Sequence, residues 1–239
     1  TNSHEFRKLC NGYNIMITRI KELIAHVIEE QKIIRKAELY SLQAQIKPHF
    51  LYNALDSINS LALSGCMNEV SNLVEALGSY YRISVSKGKE IITIKEEVDI
   101  VKNYLKIQKT RYPDIFTEKY FVDSTCLKYK VPKLILQPLV ENSLYHGIRA
   151  KEKPGTITVG VDVAENRVRL WVQDDGVGMT QEQVNAIINS HIGEGGDSFG
   201  LKGTLERIRI FYGKDDAFRI ESKSGQGTKI TLFLDIDGK

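Results

Sequence analysis

The sequence predicts an α+β protein of two parts: an N-terminal helical hairpin that pairs with a second copy into a four-helix bundle, then an α/β sandwich domain. Three observations carry this. Apolar residues recur at helical spacing from about Asn14 to Ser64, further helical runs follow after a glycine-containing turn, and beyond Pro113 the texture changes to short alternating runs rich in β-branched and aromatic residues. With 239 residues, 42% hydrophobic and 26% charged, the chain can bury such cores and is neither fibrous nor disordered. Its net charge of +3 is too small to argue for nucleic acid, which is excluded as a partner, or for an anionic membrane surface. Cys10, Cys66 and Cys126 have no metal-site or disulfide spacing and fit a reducing compartment. No apolar run approaches a membrane span and no signal peptide opens the chain, which begins inside a helical pattern and reads as a fragment.

Taken in order, Ile20, Ile24, Val27 and Ile34 form the first stripe, and the charged run through Glu29, Glu30, Lys32, Arg35, Lys36 and Glu38 has the texture of a signalling coiled coil. Pro48 falls within this long helix, where it removes a backbone donor and predicts a kink. Ser64-Gly65 closes the helix. A second runs from about Glu69 to Ser84, with Leu73, Leu77 and Tyr80 on one face, and ends at Lys87-Gly88-Lys89. The short segment Ile91 to Ile94 leads into a third helix from Lys95 to about Tyr112. Strands are expected over Phe116 to Val122, Thr156 to Val163 and Arg167 to Gln173, with a hairpin turn at Ala164-Glu165-Asn166. A helix ended by Gly147 is expected between Val131 and Ile148, and another over Leu201 to Tyr212. The last hairpin joins Phe218 to Ser222 with Thr228 to Leu234 through Ser224-Gly225-Gln226-Gly227.

His49 follows the proline. On a helical wheel it shares a polar flank with Asn53, Asp56 and Ser60, while Phe50, Ala54, Ile58, Leu61 and Ala62 fall on the broad apolar face. A neutral imidazole displayed outward is a nucleophile suited to accept a phosphoryl group, although a histidine taken alone more often serves a structural role, at the edge of a core or as a helix cap. Downstream lie pieces that together would hold the donor. Glu141, Asn142 and His146 are the polar residues of an otherwise apolar helix, and an amide oxygen such as that of Asn142 can bind a hard cation beside phosphate oxygens. Asp174-Asp175-Gly176-Val177-Gly178 comes directly off a strand, where a carboxylate can accept from an exocyclic amine and glycines allow close approach to the backbone. Gly193 to Gly200 is a glycine-rich loop entering a helix, whose first amides favour phosphate, with Lys202 adding charge.

In this order, with Gly225-Gln226-Gly227-Thr228 after them, these segments resemble the N, G1, G2 and G3 boxes of the GHKL ATP-binding fold shared by histidine kinases, gyrase-type ATPases and certain chaperones. Gln43-Ala44-Gln45-Ile46-Lys47-Pro48-His49-Phe50-Leu51-Tyr52-Asn53, ahead of Leu136-Gln137-Pro138-Leu139-Val140-Glu141-Asn142, resembles the LytS/YesM-type sensor histidine kinases. The resemblance implies three segments: residues 1–30 as the end of a HAMP-like linker, 31–112 as dimerisation and phosphotransfer helices, and 113–239 as a GHKL (Bergerat-type) ATP-binding domain. It implies ATP and Mg²⁺ as cofactors, His49 as phosphoacceptor and Asn142 as the Mg²⁺ ligand. It further implies Asp174 as adenine reader, Gly176 and Gly178 as the turn beneath the base, and Gly200, Leu201, Lys202 and Gly203 at the phosphates, with His146 also contacting nucleotide and Thr228 beside Asp174. A homodimer, a response-regulator receiver domain as partner, and a place on the cytoplasmic side of a bacterial plasma membrane, attached through a sensor region absent here, follow from the same resemblance.

The chain departs from that pattern at Lys47 (usually Asn), Tyr145 (usually Lys) and Asp175 (usually Asn). Where ATP-hydrolysing relatives carry a water-activating glutamate, four residues before the Mg²⁺ asparagine, this chain has Pro138, which favours transfer to His49; Glu141 is a candidate for a substitute base. Asn53, one turn past His49, is a candidate for orienting a water in regulator dephosphorylation. The competing readings are a GHKL ATPase or serine kinase, and a catalytically silent dimeric signalling module.

Overall fold

The computed structural model describes residues 16–24, 26–28, 48–84, 90–164, 166–189, 200–214 and 216–235. The chain divides into two compact units, Thr1–Gln45 and Ile46–Lys239. In the first, residues 16–24 and 26–28 are helical and carry an exposed Arg19–Glu22 ion pair at 3.1 Å. Much of the long first helix, including its Lys47 side of the expected kink, lies outside the described residues, as do Gly193 to Phe199 of the glycine-rich loop.

The second unit opens with two helices, α1 (Pro48–Leu63) and α2 (Met67–Ser84), joined by a turn in which Gly65 takes φ 74°. Phe50 and Ala54 are buried and Ile58 and Leu61 partly so, as the wheel requires. Ala62 is exposed instead, because it lies about 100° further round the helix than Leu61. A second apolar stripe, with Tyr52, Leu55, Leu63, Met67 and Val74, stays exposed on the hairpin.

β1 (Ile91–Thr93) then leads into α3 (Ile94–Arg111) through a capping box: the Glu96 amide donates to Thr93 Oγ1 at 3.2 Å, and the Thr93 amide donates to Glu96 Oε2 at 2.8 Å. The hairpin and the α/β region share one core here. Phe50 lies 5.0 Å from the Tyr80 ring and stacks on Tyr104 at 5.1 Å, so α1, α2 and α3 meet on three aromatic rings.

A five-stranded sheet follows in the order β2 (Phe116–Val122), β4 (Gly155–Ala164), β5 (Arg167–Asp174), β7 (Gly227–Asp235), β6 (Phe218–Lys223). β2 pairs with β4 in parallel, and the remaining neighbours are antiparallel. Ile157, Val159 and Val161 on β4, Val168, Leu170 and Val172 on β5, and Ile230, Leu232 and Leu234 on β7 point to one buried face. The crossover between the parallel strands carries β3 (Lys130–Pro132), which pairs with β1, and α4 (Gln137–Asn142). Two helices between β5 and β6 in chain order complete the unit: α5 (Gln181–Asn189), not anticipated from sequence, and α6 (Leu201–Tyr212), which ends on Gly213 at φ 63°.

The helix expected from about Val131 and ended by Gly147 is corrected. Lys130–Pro132 is a strand, the chain turns through Lys133 to Leu136 with Leu134 at φ 61°, and α4 starts only at Gln137. It continues past Asn142 as a π-helical turn, Ser143–Ile148, so Gly147 lies inside the turn. The cause of the late start is Glu97 of α3, which is wholly buried and takes the three successive amides that would otherwise open a helix: Leu134 N at 2.9 Å, Ile135 N at 2.7 Å and Leu136 N at 2.8 Å. Arg207 of α6 closes the same loop from the other side, donating through Nη2 to the carbonyls of Lys133, at 2.9 Å, and Leu134. Burial pushes the Glu97 carboxyl up and the Arg207 guanidinium down, while their mutual attraction and, for Glu97, the three amides pull the other way.

Glu97→Gln replaces one acceptor oxygen by a donor that faces a backbone N–H. We expect it to lower the unfolding free energy by about 3 kcal/mol, measured by urea denaturation at neutral pH, and an unchanged midpoint would mean the loop holds its shape without the carboxylate.

Candidate functional site

Three elements converge on a cleft of about 580 Å³. α4 and its π-turn contribute Pro138, Glu141, Asn142, Tyr145 and His146; the loop after β5 and helix α5 contribute Val177, Gly178, Met179, Gln183, Ala186 and Ile187; and the start of α6 contributes Gly200, Leu201 and Lys202. Of the residues expected at a nucleotide site, Glu141, Asn142, His146, Gly178, Gly200, Leu201 and Lys202 are thus brought to one wall-to-wall space. Asp174, Gly176, Gly203 and Thr228 are not on its lining: they lie buried around it. His49 and Asn53 sit on the exposed flank of α1, with Asn53 Nδ2 2.9 Å from His49 Nδ1.

Asp174 ends β5 and is 2% exposed. Its Oδ1 accepts the Gly176 amide at 2.9 Å, and its Oδ2 is buried with no hydrogen-bond partner. Burial pushes its carboxyl above the ordinary carboxylate range, against the pull of the surrounding donors. A buried acceptor left open is costly unless something supplies a donor, which an exocyclic N–H of a planar base would do. The residues present therefore fit an adenine at this position. Thr228 pairs with Asp174 across the β5–β7 ladder, as expected, and its hydroxyl lies 2.8 Å from Ser222 Oγ. Ser222 also accepts the Met179 amide at 2.8 Å and donates to the Gly227 carbonyl at 3.0 Å, tying the two glycine-bearing loops together.

The glycines act differently from the simplest expectation. A Cβ on Gly176 would lie 2.3 Å from the Gly147 carbonyl carbon, and one on Gly147 would lie 2.7 Å from Asp174 Oδ1. Both are small so that the π-turn can press against the Asp174 loop, rather than only to admit a base. Gly178 has φ 65° and its Cβ would meet the Lys223 carbonyl oxygen at 2.1 Å. The departures from the common pattern also acquire structural partners. Asp175 accepts the Thr156 amide at 2.9 Å and pairs with Lys151 at 3.5 Å, fixing the loop to the start of β4. Tyr145 lines the cleft with its ring 5.3 Å from the Arg149 guanidinium.

A line of contacts runs from the His49 helix to the cleft. Phe50 packs on Tyr80, the Tyr80 hydroxyl donates to Gln137 Oε1 at 2.9 Å, and Gln137 Nε2 donates to Glu141 Oε1 at 3.1 Å. Sequence reading missed Gln137 and Tyr80 as links, the Ser222 hub and the whole α5 wall. Only α5 left a local signal: Thr180 and Gln183 form a capping box, with the Thr180 amide donating to Gln183 Oε1 at 2.9 Å.

Comparison with known proteins agrees with this geometry. Residues 37–116 match the family described as histidine kinase, and residues 130–238 the family described as histidine kinase-, DNA gyrase B-, and HSP90-like ATPase. The chain is 38% identical over 222 residues to the sensor histidine kinase YesM of Bacillus subtilis, covering 93% of this chain and 37% of that protein. It is 32% identical over 205 residues to the sensor histidine kinase YpdA of Escherichia coli, covering 85% and 35%, and 29% identical over 210 residues to the sensor protein LytS of Bacillus cereus, covering 86% and 35%. It therefore spans roughly a third of the length of these relatives.

The orphaned carboxylate gives a test of the adenine end. Because the folded state raises the Asp174 pKa above its ordinary 3.8, its contribution to stability is fully present below that pH and is lost as pH rises through the raised value. Asp174→Asn should therefore be more stable than wild type at pH 7, by about 1–2 kcal/mol, with the gap closing toward pH 4 in thermal melts. The same substitution should weaken ATP binding at least tenfold in a fluorescent-nucleotide titration; equal affinity for ATP and GTP in the wild type would remove Asp174 from base recognition. With the ATPase fold built around that acceptor and both characteristic segments matched in order, the chain belongs to the sensor histidine kinase family and carries its ATP-binding domain.

Proposed function

We propose that this chain is the autophosphorylating part of a two-component sensor kinase, moving the γ-phosphoryl group of ATP to His49 and from there to an aspartate of a response-regulator receiver domain. The observation that carries this is the line Phe50–Tyr80–Gln137–Glu141, which joins the helix displaying His49 to the wall of the nucleotide cleft. A neutral imidazole nitrogen of His49 attacks the γ-phosphorus, a P–N bond forms, and the bond to ADP breaks. Pro138 supports the same outcome, since a proline stands one turn before Asn142 on the cleft wall and has no group to activate water.

Mg²⁺ fits the donor set. Asn142 and Glu141 both line the cleft, and their side-chain oxygens are hard donors that suit this ion. Among the described residues no group of three or more His, Cys, Asp or Glu is placed to hold a metal, so such an ion would complete its shell with phosphate oxygens and water. When bound, Mg²⁺ neutralises charge on the transferring group. Gly200, Leu201 and Lys202 present the N-terminus of α6 to the same space, which suits phosphate, and Gly203 packs in its first turn.

The exposed stripe of Tyr52, Leu55, Leu63, Met67 and Val74 supports a homodimer through the hairpin. The segments 1–30, 31–112 and 113–239 would then serve as linker, dimerisation and phosphotransfer helices, and catalytic domain, with the remainder of the protein supplying membrane attachment. Among the described residues no helix is long and apolar enough to cross a membrane. Asn53, with its amide at the imidazole, would also orient water for dephosphorylation of the regulator.

Incubation with γ-labelled ATP tests the reading. Wild type should acquire acid-labile, base-stable label; His49→Gln should lose all of it, and Asn142→Ala should lose at least about a hundredfold in rate. Undiminished label in His49→Gln sinks the proposal, and steady ATP hydrolysis without phosphohistidine would favour a GHKL ATPase instead.

A further inference from the structure

We propose that Arg149 is the cation that engages the terminal phosphate of the bound nucleotide, reaching it from beside the cleft, where Tyr112 and Tyr145 hold its guanidinium. The inference rests on the cleft being the ATP site of the proposed function. It starts from a shortage of positive charge. Among the described residues that line the cleft, Lys202 is the one lysine or arginine, and Glu141 offsets it. The sequence supplies no other cation to the walls: from Gln137 to Ile148, along α4 and its π-turn, and again from Asp174 to Leu201, through α5 and the glycine-rich run, there is no lysine or arginine. The second stretch instead carries Glu182, Glu194 and Asp197. A triphosphate remains anionic with one Mg²⁺ bound, so taking it out of water here leaves charge uncompensated.

Arg149 is the first basic residue after the π-turn. Its guanidinium carbon lies 5.3 Å from the centre of the Tyr145 ring and 4.9 Å from that of Tyr112, so it rests against a ring that lines the cleft and a ring that caps α3. The residue is exposed and, among the described residues, makes no ion pair. The other basic groups nearby are committed: Lys151 donates to the Asp175 carbonyl at 2.7 Å, and Lys109 pairs with Glu118 at 2.7 Å. Arg111 lies 5.3 Å from the Tyr112 ring but, among the described residues, on no ring that lines the cleft.

A guanidinium held by aromatic faces gives its charge to the π-electrons and keeps N–H groups for an acceptor. Those groups match two oxygens of one phosphate, which a lysine ammonium cannot do. With no carboxylate holding it, the flexible stem of Arg149 can carry this fork past Tyr145 into the space that Asn142 and Lys202 already line. Arg149 thus adds charge from the wall side, while Lys202 and the first amides of α6 add it from the helix side.

Displacement of a fluorescent nucleotide by ATP and by ADP, with Mg²⁺ and the whole chain, tests this without reference to phosphoryl transfer. Arg149→Met keeps a long apolar stem against the two rings and removes the charge. It should weaken ATP about tenfold and leave ADP within about twofold, so that the preference for the triphosphate collapses. Arg149→Lys should fall between this variant and wild type, since it keeps the charge and loses the fork. Arg111→Met should bind both nucleotides as wild type does. Unchanged ATP affinity in Arg149→Met, an equal loss for ATP and ADP, or the same loss in Arg111→Met would each overturn the inference. A wild type that binds ATP but never labels His49 sinks the proposed function while the titration still decides Arg149; a wild type that binds no nucleotide sinks both.

Discussion

A single buried carboxylate organises the molecule. Glu97 sits in α3 with no solvent contact, and its two oxygens gather three consecutive amides from a loop 37 to 39 residues away in sequence. An isolated carboxylate in such a place would cost several kcal/mol. Here the amides, and the guanidinium of Arg207 grasping the carbonyls of the same loop, replace the lost hydration. The result is that α3, the approach to α4 and helix α6 are fixed to one another. α4 cannot begin before Gln137, and this sets where Glu141 and Asn142 face the cleft.

The same helix α3 also receives the hairpin. Tyr104, two turns beyond Glu97, is buried against Phe50 and Gln108, and burial with Glu141 and Tyr145 nearby keeps its hydroxyl protonated. Phe50 is the immediate neighbour of His49, so the residue that anchors α1 and the proposed phosphoacceptor project about 100° apart round one helix. A rigid rotation of α1 that moved His49 would have to disturb three packed rings and the Tyr80–Gln137 hydrogen bond. Motion of the hairpin is thereby converted into motion at the cleft wall, because packed cores rearrange between discrete arrangements and do not deform smoothly.

Much of this was legible in the sequence, and the failures have physical causes. The alternating runs gave β2, β4, β5 and the last hairpin to within two residues, since half-buried strands impose a period of two on the chain. The order of the polar and glycine-rich segments picked out residues from three separate stretches, among them Asn142, Gly178 and Lys202, that the fold brings to one cleft. What sequence could not disclose was Glu97, which in a run of Lys95, Glu96 and Glu97 looks like any solvated helix charge. Its partners are backbone amides, which carry no residue identity to read. The same blindness produced the misplaced helix start, because Lys133 to Leu136 reads as helical only while those amides are taken to be free. Gly147 was misread for a related reason: the side chain it makes room for, Asp174, lies on another element.

The site is therefore assembled from pieces that each oppose stability. Asp174 keeps an unsatisfied buried oxygen, and Gly147, Gly176 and Gly178 weaken the local backbone in the unfolded-state comparison while permitting contacts no other residue allows. Such an arrangement persists only if the frame around it is over-determined. The frame has two independent supports. The Glu97–Arg207 clasp fixes one side, and the Ser222 hub, joined to Met179, Gly227 and Thr228, fixes the other. The buried Asp174 acceptor is held open between them, and the hairpin that carries His49 reaches this frame at the Gln137–Glu141 wall through the Tyr80 hydroxyl.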